Sequence, residues 1–221
     1  VSPRTRPTEP VRLVLYEDPL SPWCLVAERR VVAAMDDLAG AFTLRLEPFP
    51  TRLEARAMTK TERRELARAA RKAAKEPEAA GTTPDLWLSS DPPLTSLPAL
   101  SALAAARLQG VTREAALRAA IREAALVRGL NVARTDVLLE LAERAGLDLG
   151  RFSGALFAPA TEARVREALE EAQDKGIRDA PALVIADEWL VAGTRSADEY
   201  RAVLLRYVTA RVGLPPVRTL H

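Results

Sequence analysis

The chain is 221 residues long and carries 32 Lys+Arg against 30 Asp+Glu, a formal net charge of +2. It holds one cysteine, Cys24, and one histidine, His221. One thiol and one C-terminal imidazole exclude an internal disulfide and a zinc site of structural type, and leave a Ser-His-Asp triad only a terminal histidine. The near balance of charge argues against a dedicated nucleic-acid protein. With 48% hydrophobic residues the chain can build a core. No apolar run reaches the roughly 18 residues of a membrane span, so no membrane partner is expected.

Residues 1–10 hold prolines and no apolar stretch. They do not read as a secretory signal; they read as a flexible arm, with the cytoplasm as the expected location. Val11-Arg12-Leu13-Val14-Leu15-Tyr16 is a β-branched and aromatic run that predicts a strand. Ser21 is a good N-cap, Pro22 suits the first helical position, and Gly40 follows the end, so a helix is predicted from Pro22 to about Ala39. Residues 42–47 predict a second strand, stopped by Pro48. A β-α-β order implies parallel strands joined by a right-handed crossover.

The next stretch changes character. Residues 53–75 are rich in Ala, Arg and Glu and predict one helix. Residues 76–98 predict a loop anchored by Leu86-Trp87-Leu88. Helices are then predicted over 97–109, over 113–128 capped by Thr112, over 136–145 capped by Thr135, and over 162–175 capped by Thr161. Each is followed by a glycine (Gly110, Gly129, Gly146, Gly176), the residue that takes a left-handed cap at least cost. Residues 182–185 and 189–191 predict short strands joined by a tight turn at Asp187. Residues 197–211 predict a last helix with Tyr200, Val203, Leu204 and Tyr207 on one face. Two half-sheets separated in sequence can join, which gives an α/β fold: one four-stranded mixed sheet with an all-helical domain inserted between its halves.

Residues 52–75 concentrate Arg and Lys against Glu54, Glu62 and Glu65. This segment reads either as an anion-binding patch or as a solvated helix face with i,i+4 pairs around Glu62; without interleaved aromatics the solvated face is favoured. No Gly-rich phosphate loop and no metal-ligand cluster is present.

The stretch Tyr16-Glu17-Asp18-Pro19-Leu20-Ser21-Pro22-Trp23-Cys24 resembles the strand–loop–helix start of DsbA-like proteins. The segment Gly176-Ile177-Arg178-Asp179-Ala180-Pro181-Ala182-Leu183-Val184-Ile185 resembles their cis-proline region. Leu190-Val191-Ala192-Gly193 followed by a helix also fits. Within the DsbA-like branch of the thioredoxin fold, the chain is most similar to the group of FrnE-type oxidoreductases, 2-hydroxychromene-2-carboxylate isomerases and kappa-class glutathione transferases, over about residues 11–210. The resemblance implies a thioredoxin-like domain from residues 11–50 and 177–212, and an inserted helical domain over 51–176. It requires no cofactor. The ligand it implies is glutathione or a similar thiol, small or protein-borne. A homodimer is compatible with it.

The group's oxidoreductases usually start this helix with Cys-Pro-Trp-Cys. Here Ser21 replaces the nucleophile, and a hydroxyl cannot form a disulfide, so two-cysteine turnover is closed to this chain alone. Ser21 then has two readings: a hydroxyl that helps hold a bound thiolate, as in the transferases and isomerases, or simply an N-cap. Cys24 also has two: a reactive monothiol in the first helical turn, or a buried small apolar residue. Trp23 either borders a substrate groove or packs against the loop before the inserted domain. The resemblance implies a cis bond at Pro181, with Ala180 offering backbone groups to an extended ligand. The candidate site is therefore Ser21 and Cys24 as catalytic residues, with Pro22, Trp23, Ala180 and Pro181 binding substrate. Three functions follow: a thiol–disulfide oxidoreductase lineage working through Cys24 alone, a glutathione-dependent transferase or isomerase using Ser21, or a binding protein without catalysis.

Overall fold

A computed structural model describes residues 9–38 and 40–211. Most of the flexible arm expected at the N-terminus, residues 1–8, and the Ala39 end of the first helix lie outside the described residues. Strand β1 (Val11–Glu17) is buried at every position except Arg12. It is the inner strand between β2 (Phe42–Pro48) and β3 (Ala182–Ile185), with β4 (Trp189–Ala192) outside β3, in the order β2-β1-β3-β4. β1 and β2 run parallel with Leu13 opposite Leu44; β1 and β3 run antiparallel with Tyr16 opposite Ala182. The two half-sheets do join, and burial on both faces explains why β1 reads as a near-continuous apolar run.

Helix α1 (Pro22–Asp36) and helix α9 (Ala197–Arg211) cover one face of the sheet. There Leu13, Leu15, Leu183 and Ile185 meet Val31, Ala34, Tyr200, Leu204 and Tyr207. Helix α8 (Pro159–Asp174) covers the other face, where Leu169 and Ala172 meet Val14, Tyr16 and Val184. The β3–β4 turn places Ala186 at φ 50 and Asp187 at φ 59. Two successive left-handed residues make the tight turn, closed by the Glu188 amide donating to the Ile185 carbonyl at 3.0 Å, within a three-residue connection from Ile185 to its partner Trp189.

Between the half-sheets come α2 (Lys60–Ala73), α3 (Asp85–Leu88), α4 (Leu97–Arg107), α5 (Val111–Arg122), α6 (Thr135–Arg144) and α7 (Leu149–Leu156). A separate core gathers Leu86, Trp87, Leu103, Leu117, Ile121 and Phe152. Several helix starts differ from expectation. The helix predicted from residue 53 begins only at Lys60, because Thr59 and Glu62 close a capping box there. The backbone before it is claimed elsewhere: Thr95 Oγ1 bonds the carbonyls of Arg52 and Leu53 at 2.8 and 2.9 Å. Thr112, Thr135 and Thr161 are not N-caps; those places fall to Gly110, Arg134 and Ala158. Thr161 instead donates to the Ala155 carbonyl at 2.6 Å. The helix expected to run to residue 128 loosens after Arg122 into a π segment, Glu123–Val127. It ends at Gly129, whose φ is +66 and where a Cβ would sit 2.8 Å from that of Asp85. Helix α7 was not anticipated; Asp148 caps it by accepting the Arg151 amide at 2.9 Å.

Candidate functional site

The Ser21–Cys24 turn opens α1 at the carboxyl end of β1. Ser21 is extended, at φ −96 and ψ 114, and its Oγ accepts the Cys24 amide at 3.4 Å. Pro22 takes the first helical position and is buried. Trp23 is half-buried, with the Lys72 ammonium 5.9 Å from its ring centroid. Among the described residues the Trp23 amide has no hydrogen-bond partner. It is one of the first-turn donors that a helix cannot satisfy internally.

The second loop comes from the start of β3. The Ala180–Pro181 peptide is cis. The Pro181 carbonyl accepts the Gly193 amide at 2.8 Å, and the next residue, Thr194, donates its hydroxyl to the Trp23 carbonyl at 3.3 Å. These two bonds bring the Ser21–Cys24 turn and the Ala180–Pro181 loop to the same end of the sheet. The Ala180 amide is already held by the Asp179 carboxylate at 2.8 Å. Of the backbone groups expected to meet a ligand there, the amide therefore has a competitor.

Cys24 is fully buried. Its Sγ accepts the Asp18 amide at 3.5 Å. Burial above all, and then the negative charge of Glu17, push the thiol above its ordinary range; the Asp18 amide and the Ser21 hydroxyl oppose this less strongly. In this arrangement the thiol is closed off from solvent and its neutral form is favoured.

The loop beneath the turn is built from residues whose roles the sequence did not disclose. Asp18, fully buried, accepts the Leu20 amide at 2.9 Å, the Thr51 amide at 3.0 Å, and the Thr51 and Ser96 hydroxyls at 2.6 Å each. Burial pushes its carboxyl up despite those donors. Glu17, also fully buried, pairs with Arg118 and Arg122 of α5. Arg122 also holds Glu28 of α1, and Arg118 holds Glu114, which binds Arg107 of α4. A chain of charges therefore stitches β1, α1 and the inserted helices together. Desolvation opposes the Arg122 charge, but Glu17 and Glu28 outweigh it and hold its pKa above the usual arginine range. The sequence signal was faint: arginines at i and i+4 on α5 look like surface residues until a buried glutamate faces them.

Two clefts open elsewhere. One of about 260 Å³ lies between β2, α4 and α5 beside Glu47 and Arg107; one of about 510 Å³ lies between the 53–55 segment, α6 and α7. Neither is lined by Ser21, Trp23 or Pro181. Among the described residues no group of three or more His, Cys, Asp or Glu could hold a metal ion, and no helix is long and apolar enough to cross a membrane.

Comparison with known proteins follows the same geometry. The chain is 27% identical over 206 residues to the ClpXP adapter protein SpxH of Bacillus subtilis (strain 168), spanning 90% of this chain and 68% of that protein. Its fold is similar to that of a putative protein disulfide isomerase from Nitrosomonas europaea, with a TM-score of 0.79 and 19% identity over 93% of this chain and 100% of the other. It is also similar to the cytosolic disulfide reductase DsbM from Pseudomonas aeruginosa with GSH, with a TM-score of 0.69 and 21% identity over 90% and 99% of the two chains. Residues 12–204 match the DSBA-like thioredoxin domain, and the chain belongs to that family.

Proposed function

We propose that the chain binds a thiol, carried by glutathione or by a protein, at the N-terminal end of α1, and that it does not exchange disulfides by the two-cysteine route. The observation that carries this reading is the split within one helical turn. Ser21 is half-buried at the mouth of the helix, while Cys24 is sealed beneath it. The Ser21 oxygen accepts the cap bond through a lone pair, and its one proton, which in the free protein acts on Cys24, can turn to a ligand. A thiolate placed there would receive that proton and the unpartnered Trp23 amide, at the positive end of the helix dipole. Hydrogen bonds to a charged group contribute about 1.5–3 kcal/mol each, enough to shift a bound thiol toward its anion. The anion is the nucleophile that a glutathione-dependent transferase or isomerase needs. Monothiol exchange through Cys24 would require that thiol to reach solvent as thiolate, which burial and Glu17 both oppose. The absence of a dithiol suits the reducing cytosol, where we place the protein.

Glutathione titration tests the reading. Millimolar glutathione is expected to raise the melting temperature of the wild type, and to raise that of Ser21→Ala less. No shift in either protein would sink the proposal. Ser21→Cys should create a Cys-Pro-Trp-Cys turn that reduces insulin; an inert variant would count against the proposed groove.

A second reading, binding without catalysis, draws on the sealed thiol and on the Bacillus subtilis relative that is named an adapter. Under it the same turn holds a partner's thiol without turnover. A stable stoichiometric complex, with no glutathione-dependent activity toward aryl halides or isomerisable substrates, would support it over the first.

A further inference from the structure

The exposed face of α2 is laid out unlike the other charged surfaces of the chain. Lys60, Arg64, Arg68, Arg71, Lys72 and Lys75 are all exposed. Steps of three and four residues put them on one side of the helix, opposite Ala67, Ala70 and Ala73, which are buried. Over the 12 steps from Lys60 to Lys72 the stripe runs about 18 Å, and Lys75 follows in the turn just past the helix end.

None of the six forms an ion pair among the described residues. The carboxylate that the sequence offered as their partner, Glu62, is taken by Arg56 from the preceding loop and by the Thr59 cap. Several helical cations elsewhere are paired, Arg107 with Glu114, Arg144 with Glu140, Arg166 with Glu162 and Arg201 with Asp198; those that are not, such as Arg113, Arg151 and Arg206, stand singly and form no row.

Helix stability does not account for the stripe. Arg71 and Lys72 in the last turn suit the helix dipole, as does Glu62 in the first, but Lys60 at the first helical position opposes it. The pairs 60/64, 64/68 and 68/72 set like charges at i,i+4, which disfavours the helix. The stripe is also continuous with the site, because Lys72 lies over the ring of Trp23.

We propose that this face docks an acidic polypeptide segment of a thiol-bearing protein partner, so that its carboxylates lie along α2 while its thiol reaches the Ser21 turn past Trp23. The placement of the thiol rests on the thiol-binding reading above; the charge preference does not. Complementary charge is what an unpaired cationic row offers a partner, in encounter rate and in orientation. The stripe is sparse for nucleic acid, since among the described residues Trp23 is the one ring recorded under a cation of the row and Trp87 beside α2 is buried, where a strand needs a series of exposed stacking platforms.

Fluorescence anisotropy with short fluorescein-labelled peptides tests this. One probe sets a cysteine within Asp and Glu residues, a second replaces that cysteine with serine, and a third replaces the acids with lysine. The acidic cysteine peptide is expected to bind most tightly, and raising salt to several hundred millimolar should weaken it about tenfold or more. The triple variant Arg64→Glu/Arg68→Glu/Arg71→Glu, checked for an unchanged circular dichroism spectrum, should lose about tenfold or more in affinity for both acidic peptides. The milder Arg64→Gln/Arg68→Gln/Arg71→Gln should fall between. Equal binding of the acidic and lysine peptides, or no effect of charge reversal, would overturn the proposal. So would single-stranded DNA or phosphatidylserine vesicles binding as tightly as the acidic peptide. Charge preference without preference for cysteine over serine would sink the thiol site and the thiol placement proposed here, and leave acidic docking standing; the reverse pattern would do the opposite.

Discussion

The Asp18 amide donates to Cys24 Sγ across 3.5 Å, so the one thiol of the chain faces the loop that leads into its own helix. A thiol reagent should therefore label Cys24 slowly in the native protein and rapidly after denaturation, read by absorbance at neutral pH. Rapid native labelling would restore monothiol chemistry as a contender.

The same thiol predicts a pH dependence. Its folded pKa is raised and its unfolded value is near 8.5, so the stabilisation is complete below about pH 8.5 and is lost as pH rises further, when the unfolded chain ionises first. Relative to Cys24→Ala, the wild type should lose about 2 kcal/mol between pH 7 and pH 10, measured by urea unfolding.

Asp18 presents a different balance. Asp18→Ala strands the Leu20 and Thr51 amides and the Thr51 and Ser96 hydroxyls. A loss of about 3 kcal/mol is expected. Because burial raises the folded carboxyl, the wild-type advantage is greatest in acid and narrows as pH climbs from about 4 through the folded value.

Glu17→Gln removes the carboxylate that faces both Arg118 and Arg122. Breaking one side of a buried ion pair costs about 3–5 kcal/mol. The double variant Glu17→Gln/Arg122→Gln should recover part of that loss, since one fewer buried cation is left uncompensated. Additive losses in guanidinium unfolding would show that Arg122 draws its compensation elsewhere.

Ser21→Ala deletes a long cap bond and should cost about 0.5–1 kcal/mol. Ser21→Gly should cost a few tenths less. If both variants lose glutathione-induced stabilisation by far more than this change in the free protein, Ser21 acts on the ligand and not only on the helix.

The sheet was legible because its signals are local. Proline and glycine punctuation marks the strand ends, and a buried central strand needs apolar residues on both faces. Helix α7 was hidden because Gly150 and Gly154 lower its propensity, while its stability comes from Phe152 in the inserted core. The threonine caps failed because Ser/Thr preference is a statistical prior, and Pro159 sets the start of α8 three residues before the predicted first residue, Glu162. For the candidate site, the resemblance to DsbA-like proteins pointed to Ser21, Cys24 and Pro181. It could not show that Asp18 would turn its amide to the thiol, or that α5 would bring arginines to Glu17, because those contacts join residues 6 and about 100 positions apart.

The charges that bind Glu17 to α5 and α1 bear on how a ligand can enter. Prising the inserted helices from β1 would leave cations and carboxylates facing one another across a widening, poorly hydrated seam. Hinge opening between those two walls is therefore costly, and the floor under the Ser21 turn keeps one shape. If a thiol binds as proposed, it would meet a seat that is already set, and selectivity would come from what fits it and from the proposed charged approach along α2.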